Sequence, residues 1–199
     1  MITFIVGTDT DVGKTYYGKK LISEGKKLIS EGKKLIKPIE TGKETFSDIH
    51  LSDCYSYARL QNKSIEEVNL YFFNKAASPH LAAEMDNQRI DIDLLKGFII
   101  ENDHSFVECA GGLYVPITRH YTQLDLIKDI SKIADVNVDL IVDNRVGCIN
   151  HACLTIQLLK DNLIPIREIF INNRGKSKDK VMGDNKKIIM DFIKGFQNI

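Results

Sequence analysis

The first residues whose types and spacing could do chemistry are Gly7-Thr8-Asp9-Thr10-Asp11-Val12-Gly13-Lys14-Thr15, directly after the apolar run Thr3–Val6. A strand, a glycine-bearing turn and Gly-Lys-Thr opening a helix make a phosphate-binding loop. Its backbone N–H groups converge on phosphate oxygens, and the helix N-terminus adds partial positive charge. Lys14 would reach the β- and γ-phosphates of a nucleoside triphosphate, and the Thr15 hydroxyl would ligate Mg²⁺. The usual form has a glycine five residues before the second one; Thr8 stands there and Gly7 is one place earlier. A Gly-Lys turn before a helix is common, but the preceding strand and the acidic insertion make this one specific.

Three further segments follow candidate strands. Phe106-Val107-Glu108-Cys109-Ala110-Gly111-Gly112 ends a strand on a carboxylate and continues as a small-residue loop. An acid at such a strand end holds Mg²⁺ directly or through water in phosphate-loop proteins, and Thr15 favours that reading over a solvated Glu. Lys37-Pro38-Ile39-Glu40-Thr41-Gly42 would point a lysine over the sheet edge; taken alone, a surface lysine before a turn is the better reading. Gly147-Cys148-Ile149-Asn150 could offer free amides at a helix N-terminus to an anion, although an ordinary Asn cap is the simpler reading of that segment alone.

These residues need a frame. Buried strands are expected at Thr3–Val6, Lys34–Lys37, Ser105–Glu108, Val138–Val142 and Glu168–Asn172. Helices are expected at 14–31, 52–61, 90–102, 122–133, 149–161 and 184–195. Such alternation predicts an α/β fold: a three-layer parallel sheet with helices on both faces and right-handed crossovers, P-loop NTPase-like with the phosphate loop after its first strand. Ligands then bind beyond the carboxyl ends of the strands, where every segment above falls.

At 199 residues, 43% of them hydrophobic, the chain reads as a single compact domain over 1–199. Lys plus Arg and Asp plus Glu balance at 27 each, so no charge excess draws it to nucleic acid or an anionic membrane. No apolar run approaches ~20 residues, which predicts no spanning helix. The apolar start runs straight into the phosphate loop with no room for a signal peptide, so a cytoplasmic location is expected. Cys54, Cys109, Cys148 and Cys153 show no C-x-x-C spacing, and buried thiols are expected rather than a disulfide or zinc.

The segment Lys19–Gly25, KKLISEG, is repeated at Lys26–Gly32, and Lys33–Ile36 begins a third copy. The first two copies suit a helix face, whereas the third must lead into Lys37-Pro38, and a residue before proline is pushed out of helical geometry. Gly32 can stop the helix and Pro38 can end the strand. Three copies are too few for a solenoid, so a local duplication absorbed by the first crossover helix is expected.

Read together, GTDTDVGKT, KPIETG, SPHLAA at 78–83, VECAGGLYVPI at 107–117, GCINHACLT at 147–155 and INN at 171–173 resemble the dethiobiotin synthetase family in order and spacing. The resemblance spans residue 1 to about 175. It implies a homodimeric P-loop-like α/β fold with active sites at the subunit interface. The reaction implied takes 7,8-diaminopelargonate, CO₂ and MgATP to dethiobiotin, ADP and phosphate. Catalytic roles carry over to Lys37, Lys14 and Thr10, with Lys37 bridging carbamate and γ-phosphate oxygens. Nucleotide contacts carry over to Asp11, Val12, Gly13, Lys14, Thr15, Tyr16, Asp53, Glu108, Cys109, Ala110, Gly111, Asn172 and Asn173, with Asn172 reading the base. Magnesium ligands would be Thr15, Glu108 and Asp53, for which Asp48 is the competitor. Thr41 would touch the substrate, and Gly147, Cys148, Ile149 and Asn150 would cap its carboxylate from the neighbouring subunit.

The chain departs from that pattern in places. Cys109 replaces a glycine in the family's EGAGG loop, Asn173 replaces an aspartate, and the family's Gly-x-Ile-Pro segment near the C-terminus is missing. Two rival readings are weaker. ParA/MinD-like ATPase switches carry an additional lysine early in the loop, and positions 8–12 have none. Amide-forming ligases of cobalamin synthesis usually carry a glutamine-hydrolysing domain, for which 199 residues leave no length.

Overall fold

The computed structural model describes residues 1–24, 32–175 and 179–197. A five-stranded sheet of β1 (Ile2–Gly7), β2 (Lys34–Ile36), β5 (Ser105–Glu108), β8 (Val136–Asp143) and β9 (Ile166–Asn172) forms the centre, in the order β2-β5-β1-β8-β9. Every pairing in it is parallel. Parallel strands put all their carboxyl ends on one edge, so the segments that follow them gather there.

β1 is buried along its whole length, and its side chains alternate between faces. Ile2, Phe4 and Val6 join Leu95, Ile99, Leu124 and Ile127 of α4 (Ile92–Glu101) and α5 (Gln123–Ser131). Ile5 points the other way, to Tyr17 and Ile22 of α1 (Lys14–Glu24) and Tyr57 of α2 (Asp53–Gln61). At the other side of the sheet, Leu140 and Val142 pack on Ala152 and Ile156 of α6 (Cys148–Asp161) and Ile189 of α7 (Lys180–Gln197). Helices therefore cover both faces, as the alternating pattern predicts.

Several expected bounds shift by a few residues: the fourth strand begins at Val136 rather than Val138, and the last helix at Lys180 rather than 184. The first helix is described to Glu24; its expected continuation to 31, with most of the second KKLISEG copy, lies outside the described residues. Gly32 has φ +72°, and the third copy supplies β2, one residue shorter than expected.

Periodicity gave no sign of a second layer of short pieces. β3 (Ile39–Thr41) pairs in parallel with β4 (Tyr71–Phe73), and β6 (Pro116–Thr118) pairs antiparallel with β7 (Tyr121–Thr122). The short helix α3 (Pro79–Met85) begins with proline in its first turn. Runs of two, three or seven residues are too brief for a period to register. Among the described residues no helix is long and apolar enough to cross a membrane.

Candidate nucleotide and metal site

The loop between β1 and α1 is held open by its neighbours. Asp11 and Gly13 take φ of 56° and 101°, left-handed geometry that glycine adopts at no cost and aspartate tolerates. At the non-consensus Gly7, a Cβ would lie 2.6 Å from the Asp9 carbonyl and 2.8 Å from the Val12 side chain, so the turn requires glycine there. Asn172, at the end of β9, donates from Nδ2 to the Val12 carbonyl at 2.9 Å, and Arg174 donates to the Asp11 carbonyl. Arg174 is itself fixed by Asp143, at the end of β8, 2.8 Å away. Three strand ends thus shape one loop.

Inside it, Lys14 is buried and donates to the Asp9 carbonyl at 3.1 Å. Burial lowers its pKa below the ordinary lysine value, outweighing the nearby Glu108 carboxylate. Thr10 sits exposed at the loop tip, its N–H on the Asp9 side chain, and Tyr16 is exposed on the first turn of α1.

One turn further, four side chains converge, from α1, α2, β5 and the residue just after β2. Thr15 Oγ1 lies 2.8 Å from Asp53 Oδ2 and 3.0 Å from Glu108 Oε1, so its single proton serves one carboxylate at a time. Lys37 Nζ donates to Asp53 Oδ2 and, at 3.0 Å, to Glu108 Oε1. Burial works to lower the Lys37 pKa, but Glu108 and Asp53 outweigh it and hold the ammonium charged. Asp53 is penalised by burial too, yet Lys37 keeps its pKa below the usual carboxylate value. Glu108 is almost wholly buried, and the Tyr57 hydroxyl donates to its Oε2.

Asp53 reaches this cluster because Glu40, on β3, accepts from the N–H groups of Asp53 and Cys54 at 2.9 and 2.8 Å. A carboxylate on the first amides of a helix answers its unpaired donors and its dipole. Ser52, the N-cap residue, makes no such bond. Asp48 instead accepts from His50 N at the start of a short 3₁₀ turn, away from the cluster. Neither Glu40 nor Tyr57 figured among the expected site residues. Both are separated in sequence from what they hold, and no local spacing announces them.

The donor set suits a hard divalent cation. Thr15, Asp53 and Glu108 present oxygen only, two of them anionic, each carboxylate within hydrogen-bonding distance of the Thr15 hydroxyl. The Lys37 ammonium already lies between the carboxylates, so the place is built for positive charge.

Other expected residues fall around this centre. Cys109 turns its buried thiol into the core below α4 and α5, where burial pushes its pKa up to about 12. Ala110 and Gly111 lead to Gly112, where a Cβ would come within 3.3 Å of the Gly7 carbonyl. Thr41 is half-buried on β3. Asn173 accepts from Asn144 Nδ2 at 2.7 Å; Asn144 in turn accepts from Asn185 of α7 at 3.0 Å. Both polar ends of Asn172 are occupied here as well, Oδ1 by the Arg174 N–H. Gly147, with φ 90°, caps α6 without a side-chain bond; Gly147 and Asn150 are exposed, Cys148 is buried and Ile149 half-buried. The structure does not bring this segment into the Thr15–Lys37–Glu108 cluster.

A phosphate loop opening a helix at the carboxyl edge of a parallel sheet, with a strand-end carboxylate beside its threonine, defines a P-loop nucleotide-binding protein of the α/β class. The AAA domain family matches residues 3–195. A ParA family ATPase from Chlorobium tepidum superposes with a TM-score of 0.50 at 11% identity, covering 95% of this chain and 79% of that one, a likeness of fold alone. The ATP-dependent dethiobiotin synthetase BioD of Francisella tularensis subsp. tularensis is 38% identical over 173 residues, 82% of this chain and 73% of its own length. That of Legionella pneumophila is 35% identical over 168 residues, 81% and 74% of the two chains. The chain belongs to the ATP-dependent dethiobiotin synthetase family.

Proposed function

We propose that the protein closes the ureido ring of dethiobiotin from 7,8-diaminopelargonate, CO₂ and ATP. Family membership supports the activity. The observation that carries the site assignment is the convergence of Thr15, Asp53, Glu108 and Lys37 beside the phosphate loop.

One substrate amine attacks CO₂ and loses a proton, giving a carbamate. A carbamate oxygen attacks the γ-phosphorus, the bond to the bridging oxygen breaks and ADP leaves. The second amine then attacks the carbonyl carbon, and phosphate departs as the ring closes. Thr15, Asp53 and Glu108 would hold Mg²⁺, which when bound neutralises phosphate charge. Lys14 binds the β- and γ-phosphates from within the loop. Lys37, held charged by its surroundings, offsets repulsion between the anionic carbamate and the γ-phosphate. Positioning and charge neutralisation do most of the work, since the substrates carry their own nucleophiles. Thr10 would assist at the phosphates and Thr41 would touch the substrate. Gly147 and Asn150 are exposed, and from there they would serve a second subunit.

The deciding assay mixes protein, MgATP, bicarbonate and diaminopelargonate and detects dethiobiotin by mass. ATP-dependent appearance of that mass is expected; none from folded protein overturns the reading.

A further inference from the structure

Tyr57 lies on α2 one turn after Asp53, wholly buried among apolar neighbours. A phenol in such a place needs a hydrogen-bond partner, and this one donates to Glu108 Oε2, with the Thr15 carbonyl 3.5 Å away as its other neighbour. The carboxylate it meets is nearly inaccessible, and its other oxygen, Oε1, faces Thr15 and Lys37. The last torsion of a glutamate is broad and roughly two-fold, so packing alone does not decide which way the carboxylate plane turns. The hydroxyl does decide it: with Oε2 engaged by Tyr57, Oε1 is the oxygen left for the site.

A second observation comes from the opposite helix. Gly18 occupies the interior of α1, where alanine is the better helix former. A Cβ there would lie 2.5 Å from the Tyr57 hydroxyl oxygen and 3.1 Å from its ring carbon Cζ. The glycine clears the path along which the phenol reaches Glu108.

From these contacts we propose that Tyr57 is a positioning residue that fixes the Glu108 carboxylate for the metal, and that Gly18 exists to admit its hydroxyl. This rests on the reading of Glu108 as a metal ligand. Residues that orient a ligand's free atom commonly change metal affinity by about 10–100-fold when lost. A tyrosine that merely fills the core would change stability and leave metal affinity alone.

The test measures Mn²⁺ bound to the protein–ATP complex, from the electron paramagnetic resonance of the free ion, with protein in excess so that the nucleotide is bound. Thermal unfolding without metal is recorded alongside. Glu108→Gln comes first: if Mn²⁺ binds it as tightly as wild type, the metal reading fails and this proposal with it. If Glu108→Gln binds weakly, Tyr57→Phe is expected to weaken Mn²⁺ binding roughly tenfold. Wild-type affinity in Tyr57→Phe overturns the proposal and leaves the metal reading standing. Gly18→Ala keeps the hydroxyl but displaces it, so it should mimic Tyr57→Phe, and the double variant should bind no worse than Tyr57→Phe. Independent, multiplying effects would overturn the role of Gly18. Should Tyr57→Phe not fold, a folded Gly18→Ala with unaltered Mn²⁺ affinity overturns the proposal by itself.

Discussion

Lys14 and Lys37 are both buried, yet their surroundings treat them oppositely. Burial pulls the Lys14 pKa down inside a loop of carbonyls and amides, whereas two carboxylates hold Lys37 up. A triphosphate entering the loop supplies the charge Lys14 lacks, so Lys14→Gln should damage nucleotide binding itself. Lys37→Gln should leave ATP binding nearly intact while cutting dethiobiotin formation by roughly 10²–10³, the scale of losing one preorganised charge-stabilising donor. Titrating ATP against both variants and following product mass separates the two roles; normal turnover in Lys37→Gln would place the reaction's charge compensation elsewhere. Because Lys37 neutralises Asp53 and Glu108 in the unliganded protein, its loss leaves two carboxylates facing one another. Mg²⁺ should then raise the unfolding temperature of Lys37→Gln more than that of wild type.

Asp53 gives a pH signature of the same pairing. Burial opposes its charge, but Lys37 wins and its folded pKa falls below the ordinary value. A lowered folded pKa contributes stability that is present above the unfolded value of ~3.9 and is lost as pH falls through the folded one. Acid unfolding below about pH 4 should therefore be shallower in Asp53→Asn than in wild type, followed by circular dichroism. Asp48, exposed on its own turn, serves as control: Asp48→Asn should track wild type both in acid and in Mg²⁺ dependence. The phosphate loop and Glu108 were legible in sequence because each sits within a short motif behind a strand; Lys37 stood out only through the family resemblance, since its own motif reads as a surface lysine before a turn. The choice of Asp53 over Asp48 was not, since both are acids ahead of a helical turn.

At the scale of elements, the site depends on how α2 is seated. Its N-terminal amides are answered by Glu40 from β3 across 13 and 14 residues of sequence, and α2 carries both Asp53 and Tyr57. Glu40→Ala should cost about 1–2 kcal/mol, the range for losing a helix cap, and should loosen metal binding because Asp53 loses its anchor. Urea unfolding reads the first effect and Mg²⁺ dependence the second; an unchanged urea midpoint would show that α2 is seated by packing alone. The five strands of the central sheet were readable from their apolar runs, since a buried parallel strand needs little else. β3 was not: Ile39–Thr41 reads as the turn after Lys37-Pro38 and becomes a strand only by pairing with Tyr71–Phe73. The mid-helix Gly18 likewise gains a reason only when α2 is laid against α1.

For the whole molecule, the remaining question is where the substrate carboxylate is held. The parallel sheet gathers the phosphate loop, Lys37, Glu108 and the segment after β8 at one edge, yet Gly147–Asn150 stays outside the charged cluster. Gly147 is fully turned, at φ 90°, and caps α6 with no side chain on its first amides; Val146 beside it is 82% exposed. A helix N-terminus so presented suits an anion delivered from another surface, which in a homodimer is the neighbouring active site. The expectation can be tested by complementation. Lys37→Gln destroys a chain's own reacting centre but leaves its α6 N-terminus intact. Gly147→Val does the reverse, because a β-branched residue resists the left-handed backbone that Gly147 adopts. Each variant alone should be nearly inactive. Co-refolded, a homodimeric protein would form mixed dimers in which one of the two sites draws its phosphate loop and Lys37 from the Gly147→Val chain and its capping amides from the Lys37→Gln chain. That site is whole, so the mixture should regain activity that neither parent shows. If sedimentation shows that mixed dimers have formed and dethiobiotin still fails to appear, each chain holds its substrate carboxylate by itself, and the shared-site reading is wrong.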